Sequence, residues 1–249
     1  MEDLDTRRTI PGCADAMLRT FESFGLEWDG AIEYQSRRTE LYAAALSRLC
    51  GQGLTFECSC SRGERAGIEQ SGYPGTCRAG PTRTGPTAIR FRVTDEATIE
   101  FEDGIQGGCS FALGRLGDFI LRRRDAVHAY QLAVVVDDAA QKVTHIVRGA
   151  DLLPSTAWQI ALLRALDLPQ PLYAHLPLVV EPDGTKLAKS RRSVPLDPAH
   201  ARPLLGEALR LLRQSPPPEL AGAPACTLLA WAIAHWDRSK MRGLTTVRP

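Results

Sequence analysis

Apolar positions in the first fifty residues recur at helical spacing. Cys13 to Phe24 reads as a helix between Pro11 and Gly25. Thr39 to Cys50 reads as a second, with Tyr42, Ala45, Leu46 and Leu49 on one face and Gly51-Gln52-Gly53 ending it. From residue 58 to 87 the periodicity fades into a stretch rich in Cys, Gly, Pro and Arg, which needs something other than a core to order it. Ile89, Phe91 and Val93 then alternate with Arg90 and Arg92, and Ile99 and Phe101 repeat the pattern, predicting two half-buried strands. Leu132 to Val136 and Val143 to Val147 are continuous apolar runs flanking Asp137-Asp138, and both are predicted as buried central strands. Ser155 is placed to cap a helix running to about Leu166, with Trp158, Ile160, Ala161 and Ala165 inward. Pro-punctuated helical segments, Leu204 to Leu212 and Leu228 to Trp236, fill the remainder, and no internal repeat is apparent. This order predicts an α/β protein whose parallel sheet is interrupted by an inserted subdomain.

At 249 residues, the chain is long enough for one large or two small domains. Its 44% hydrophobic and 24% charged content is that of an ordinary soluble globular protein. No apolar run approaches membrane-spanning length, and the first residues are acidic rather than signal-like, so no membrane association and a cytoplasmic location are expected. A net charge of +1 excludes a uniformly basic nucleic-acid coat. RNA contact would then fall to local patches, Arg122-Arg123-Arg124 and Lys189 to Arg192, which also read as solvated faces.

Seven cysteines are unevenly spread, and Cys58-Ser59-Cys60 points to metal or free thiols in a reducing compartment. With Cys77 these thiols suit tetrahedral zinc, the fourth ligand being Tyr73, Glu64 or water; three unrelated cysteines are the plainer alternative. Cys13, Cys50, Cys109 and Cys226 lack such spacing and are expected to be structural. Lys186 and Lys189, after the turn Pro182-Asp183-Gly184, form a cationic clamp suited to a polyphosphate, or else a solvated loop. Tyr130 and Arg148 are suitable donors for a carboxylate; read alone, they are a core tyrosine and an ion pair with Asp151. Glu2-Asp3-Leu4-Asp5, read alone, is a helix-capping cluster or a solvated tail.

Taken together, Glu2 to Thr6, the Cys/Tyr cluster, Tyr130 to Asp151 and Lys186-Leu187-Ala188-Lys189-Ser190 resemble the class I aminoacyl-tRNA synthetases of the glutamyl type. The resemblance implies a Rossmann-like catalytic fold lacking its first βα unit, with a zinc-bearing insert and a short helical C-terminal part. It divides the chain into residues 1–54 and 126–190 as the two catalytic halves, 55–125 as the insert and 191–249 as the helical end. It assigns Glu2 to the α-ammonium group of glutamate, Tyr130 and Arg148 to the substrate, and Lys186 and Lys189 to catalysis, with Lys189 on the ATP phosphates. It makes Cys58, Cys60, Tyr73 and Cys77 the ligands of one structural Zn2+. Ala188 stands where the family more often has serine, and Leu187 is expected to anchor the loop in apolar contacts.

The family's His-x-Gly-His-type signature is not found: His128, His145, His175, His200 and His235 all lie elsewhere. The resemblance therefore predicts a chain that starts late, either at an internal methionine or as a shortened paralogue, with little activity as written. Only about sixty residues follow the lysine loop, which resembles the queuosine-directed branch of the family. That branch implies a monomer that uses L-glutamate, ATP and Mg2+ to form glutamyl-adenylate without tRNA. It then esterifies queuosine in the anticodon of tRNA(Asp). A shortened enzyme charging tRNA(Glu) and a non-catalytic zinc and tRNA-binding paralogue are the alternative expectations.

Overall fold

Helix α1 (Cys13–Ser23) begins after a left-handed Gly12 and ends at Phe24, as the spacing predicts, yet none of its residues is buried. Helix α2 (Thr39–Gly51) buries Tyr42, Leu46 and Leu49, the face the sequence marks. The chain is described by a computed structural model over residues 1–61, 72–187 and 196–248. Lys189 and Glu64 fall outside the described residues.

Two sheets follow. Strands β1 (Thr55–Cys58), β2 (Ala88–Phe91) and β5 (Phe119–Arg122) pair antiparallel in the order β1-β2-β5. Strand β3 (Thr98–Asp103) pairs antiparallel with β4 (Gly107–Ala112) and parallel with β7 (Leu172–Leu176). Strand β6 (His145–Gly149) completes that sheet parallel to β7, giving the order β4-β3-β7-β6; it is an edge strand with Val143 and Val147 exposed, not the buried central strand that the apolar run Val143 to Val147 predicts. Residues 55–125 thus contribute to both sheets, between them the three-stranded ribbon and the β3–β4 hairpin.

Strand β3 alternates as expected, with Ile99, Phe101 and Asp103 inward. Strand β2 does not: Arg90 is buried. Its guanidinium lies 3.9 Å over the Tyr73 ring and donates to the Asp118 carbonyl at 2.8 Å, and these partners override the polar-out rule.

The run Leu132 to Val136 is not a strand. It lies in helix α4 (Tyr130–Ala140), which follows the one-turn helix α3 (Leu113–Leu116) and buries Leu132, Ala133, Val135 and Asp137. A five-residue apolar run fits a buried helix as well as a buried strand, and here the helix continues through Asp137 to Ala140. Nor does Ser155 cap helix α5 (Leu153–Ala165). It sits inside the first turn beside Pro154, and its hydroxyl accepts from Gln131 Nε2 at 3.1 Å. Ile160 is fully buried, while Trp158, Ala161 and Ala165 pack partly buried against the core.

Helices α2, α4 and α5 cover the sheets around Leu49, Leu121, Leu132, Ile160 and Tyr173. Asp137 fastens α4 to α2, accepting from Gln35 Nε2 at 2.9 Å, Arg38 Nε at 2.8 Å and the Tyr42 hydroxyl at 2.9 Å. After the lysine loop come helices Ala201–Leu211 and Ala225–His235. The final stretch then returns as strand Thr246–Val247, parallel to Leu178–Val179. Among the described residues no helix is long and apolar enough to cross a membrane.

Candidate active site

Arg148 leaves the C-terminal half of β6 and is gripped from three elements. Its Nη2 donates to Thr156 Oγ1 at 2.8 Å and Gln159 Oε1 at 2.6 Å, both on α5. Its Nε donates to His175 Nε2 at 3.2 Å on β7, and Nη1 makes a long 3.4 Å contact to the Tyr130 hydroxyl at the start of α4. A guanidinium has five N–H groups, so among the described residues Nη1 keeps one uncommitted donor. Arg148 pairs with no carboxylate among the described residues; Asp151 is taken by Lys186.

That free edge faces a cleft of about 560 Å3 lined by Glu2, Tyr130, Val134, Asp138, Ile146 and Arg148, among others. Glu2 and Tyr130 also line a larger neighbouring cleft of about 670 Å3, which runs past Arg8, Arg90, Arg123 and Arg124 to Cys58 and Cys60. The exposed Glu2 is delivered by a pinned N-terminal segment: Asp3 accepts from the Ser36 amide at 2.9 Å and hydroxyl at 2.6 Å, and Asp5 pairs with Arg123 at 2.7 Å. Asp138 adds a second acid. Burial pushes its carboxyl up to about 6, helped by Asp137 and Glu2 and opposed by Arg148. Burial likewise raises the Tyr130 phenol, against the pull of Arg148. A guanidinium and two acids lining one cleft are chemically suited to a zwitterion.

Lys186 sits on the far limb of a hairpin turn, where Glu181 N–H donates to Thr185 O at 2.8 Å and Leu187 N–H to Val179 O at 3.0 Å. Its Nζ pairs with Asp151 Oδ2, three residues beyond Arg148. Gly149 permits this turn: a Cβ there would lie 2.6 Å from Asp151 Oδ1 and 3.0 Å from Leu178 Cδ2. Leu187 is 43% exposed, so it does not anchor the loop in apolar contacts; its backbone does.

Cys58, Cys60 and Cys77 place their sulfurs within 4.8 Å of one another. Cys60 and Cys77 are 3.5 Å apart, and the Tyr73 oxygen lies 3.4 Å from Cys58 Sγ and 3.5 Å from Cys60 Sγ. Tetrahedral zinc, with bonds of about 2.3 Å to sulfur and about 2.0 Å to oxygen, would set sulfurs about 3.8 Å apart and oxygen about 3.5 Å from sulfur. The four donors fit that ion. Burial works against ionisation of Cys77, but hydrogen bonds from Tyr73, Ser59, Cys60 and Thr82 outweigh it and bring the thiol down to about 5. Burial raises the Tyr73 phenol, beside the sulfurs. The knuckle is seated by close backbone contact: Gly117, at φ +74°, leaves only 2.4 Å between a would-be Cβ and the Tyr73 nitrogen.

Residues 1–200 match the family of class I tRNA synthetases for E and Q, at their catalytic domain. The chain belongs to that family. This class I synthetase is 52% identical over 242 residues to a glutamyl-Q tRNA(Asp) synthetase of Ectopseudomonas mendocina, covering 97% of the chain and 82% of that relative. It is 50% identical over 248 residues to the enzyme of the same name from Pseudomonas aeruginosa PAO1, covering 99% and 84%. Its fold is that of a glutamate tRNA ligase from Elizabethkingia meningosepticum crystallised with its amino acid, at TM-score 0.76 and 22% identity, over 100% of this chain and 59% of that one. A glutamate-tRNA synthetase from Elizabethkingia anophelis superposes at TM-score 0.78, also at 22% identity, over 100% and 60%. The chain therefore spans about 60% of the length of those two structures.

Glu2, Tyr130 and Arg148, to which the sequence resemblance assigns the substrate, all line one cleft in the fold of this synthetase. Nothing in the sequence alone marks Asp138, Thr156, Gln159 or His175 as part of the site. One signal was available for Asp103: it shares the inward register of Ile99 and Phe101, a charge at an apolar position. His175 lies in an apolar run with no spacing to mark it.

Proposed function

We propose that this chain activates L-glutamate with ATP and transfers it to queuosine in the anticodon of tRNA(Asp). The observation that carries the reading is the cleft that Arg148 lines together with Glu2, Tyr130 and Asp138, in a chain about half identical to relatives of that name. A glutamate carboxylate takes the free donor of Arg148 and the Tyr130 hydroxyl. Its ammonium group lies toward Glu2 and Asp138. Lys186 and Lys189 hold the ATP phosphates with Mg2+ and offset charge on departing pyrophosphate. A glutamate carboxylate attacks the α-phosphorus in line, and a queuosine hydroxyl then displaces AMP from the adenylate. Neither step needs an enzyme nucleophile; positioning and charge stabilisation supply the acceleration.

Cys58, Cys60, Tyr73 and Cys77 would hold one zinc ion, which when bound supplies a structural cross-link for a segment with little core of its own. The larger cleft, bordered by Arg8, Arg90 and Arg124, leads from that knuckle to Glu2 and Tyr130 and suits an approaching anticodon loop.

The test is pyrophosphate exchange dependent on L-glutamate in the absence of tRNA, followed by transfer of labelled glutamate to queuosine-containing tRNA(Asp). Exchange without tRNA, and labelling lost when queuosine is absent, is the expected result. Labelling of tRNA(Glu) instead would move the assignment to acceptor-end charging, and tRNA binding without exchange would leave a non-catalytic module.

A further inference from the structure

Behind Arg148 stands a fully buried pair. Asp103 Oδ2 lies 2.6 Å from His175 Nδ1, and neither side chain is exposed at all. The other oxygen, Oδ1, accepts three backbone N–H groups, from Ile105 at 3.0 Å, Gln106 at 2.8 Å and His175 itself at 3.1 Å. A carboxylate so committed is an acceptor, so the proton between it and the ring sits on Nδ1. That leaves Nε2 as a bare lone pair, aimed at Arg148 Nε at 3.2 Å and at Thr156 Oγ1 at 3.1 Å. Neither Asp103 nor His175 lines either of the two clefts.

We propose that Asp103 and His175 are positioning residues for glutamate recognition: Asp103 fixes the Nδ1–H tautomer of His175, and the bare Nε2 then aims the guanidinium of Arg148. The proposal rests on Arg148 as the carboxylate receptor. Its logic is one of donors and acceptors. If the ring proton moved to Nε2, two N–H groups would face each other and Arg148 Nε would lose its acceptor, turning Nη1 away from the cleft. A doubly protonated ring creates the same clash, and burial and the nearby Arg148 charge oppose it, against Asp103 and Asp151. Among the described residues, Tyr173, stacked at 6.2 Å, and Thr156 on α5 also contact the ring and are uncharged. Holding one guanidinium atom from behind leaves the opposite edge presented at a fixed angle, which is what recognition of a carboxylate requires.

The variants separate this role from simple packing. Asp103→Asn keeps Oδ1 for the three amides but places an N–H₂ group against Nδ1, which drives the ring to the Nε2–H tautomer. His175→Gln offers Oε1 near the position of Nε2, whereas His175→Leu offers nothing. The first measurement is nitrogen NMR of the unaltered full-length protein at pH 7. His175 protonated on Nδ1 and bare on Nε2 is expected, with a slowly exchanging Arg148 Nε–H; the opposite tautomer, or an imidazolium, overturns the proposal without any variant. Calorimetric titration with L-glutamate follows. Arg148→Ala should abolish binding, Asp103→Asn and His175→Leu should weaken it at least tenfold, and His175→Gln should recover part of the loss. Equal affinity in Asp103→Asn, His175→Leu and the unaltered protein, with Arg148→Ala still defective, would sink the proposal alone. Undiminished binding by Arg148→Ala would sink the reading of Arg148 on which it stands.

Discussion

Lys186 is paired with Asp151, three residues beyond Arg148, so the lysine hairpin and the arginine that lines the cleft meet at a single turn. The pair is half exposed, with 53% of the lysine side chain accessible, and contributes little to folding. Lys186→Ala is expected to leave the melting temperature within about a degree and to lower glutamate-dependent pyrophosphate exchange at least tenfold. A matching loss of stability would show that the lysine is a structural tie.

The cysteine knuckle should load metal. Metal analysis of the purified protein is expected to give about one zinc per chain, falling well below that in Cys77→Ser. Tyr73→Phe removes an oxygen ligand yet keeps the ring under Arg90, and should retain zinc with weaker hold against a chelator. Full zinc content in Cys77→Ser would rule out this ligand set.

Asp138 gives a pH signature of determinate sign. Its folded carboxyl titrates at about 6, above its unfolded value, so the folded state holds the extra proton between about pH 4 and pH 6. Its contribution to stability is therefore full below that window and is lost as pH rises through 6. Asp138→Asn should raise stability at pH 7 by on the order of 1 kcal/mol after solvent screening. The same change should weaken glutamate binding above pH 6 more than below it. Binding independent of pH between 5 and 7 in the unaltered protein would remove Asp138 from the ammonium end.

The Asp137 hub predicts a stability cost without a site effect. Arg38→Ala strips a charged partner from a buried carboxylate and should cost about 3 kcal/mol. Tyr42→Phe removes one of several donors and should cost about 1 kcal/mol. Denaturant titration of both variants checks the ranking.

The fold was partly legible in the chain. Helix α2 and the alternating strand β3 follow from periodicity, since one face of each meets a single core. Leu132 to Val136 misled because it is buried on most sides, and burial all round erases the period that separates helix from strand. Arg90 misled for the opposite reason: its charge says surface, but a ring and a carbonyl lie within reach. The return of Thr246–Val247 to pair with Leu178–Val179 is a long-range event with no local signal. At the site, Glu2, Tyr130 and Arg148 were visible through resemblance, and the Cys-x-Cys pair through spacing. The groups that aim Arg148 were not, because a tautomer is set by partners from β3, β6, β7 and α5 that only the fold assembles.

Helix α5 looks both ways. Thr156 and Gln159 hold Arg148, while Trp158 between them donates its indole N–H to the Gly117 carbonyl at 3.1 Å, on the backbone that seats Tyr73. A single turn of helix therefore borders both the cysteine cluster's supporting backbone and the cleft of Arg148. The indole of Trp158, set in that turn between Thr156 and Gln159, is thus a built-in optical gauge of how firmly the turn is held.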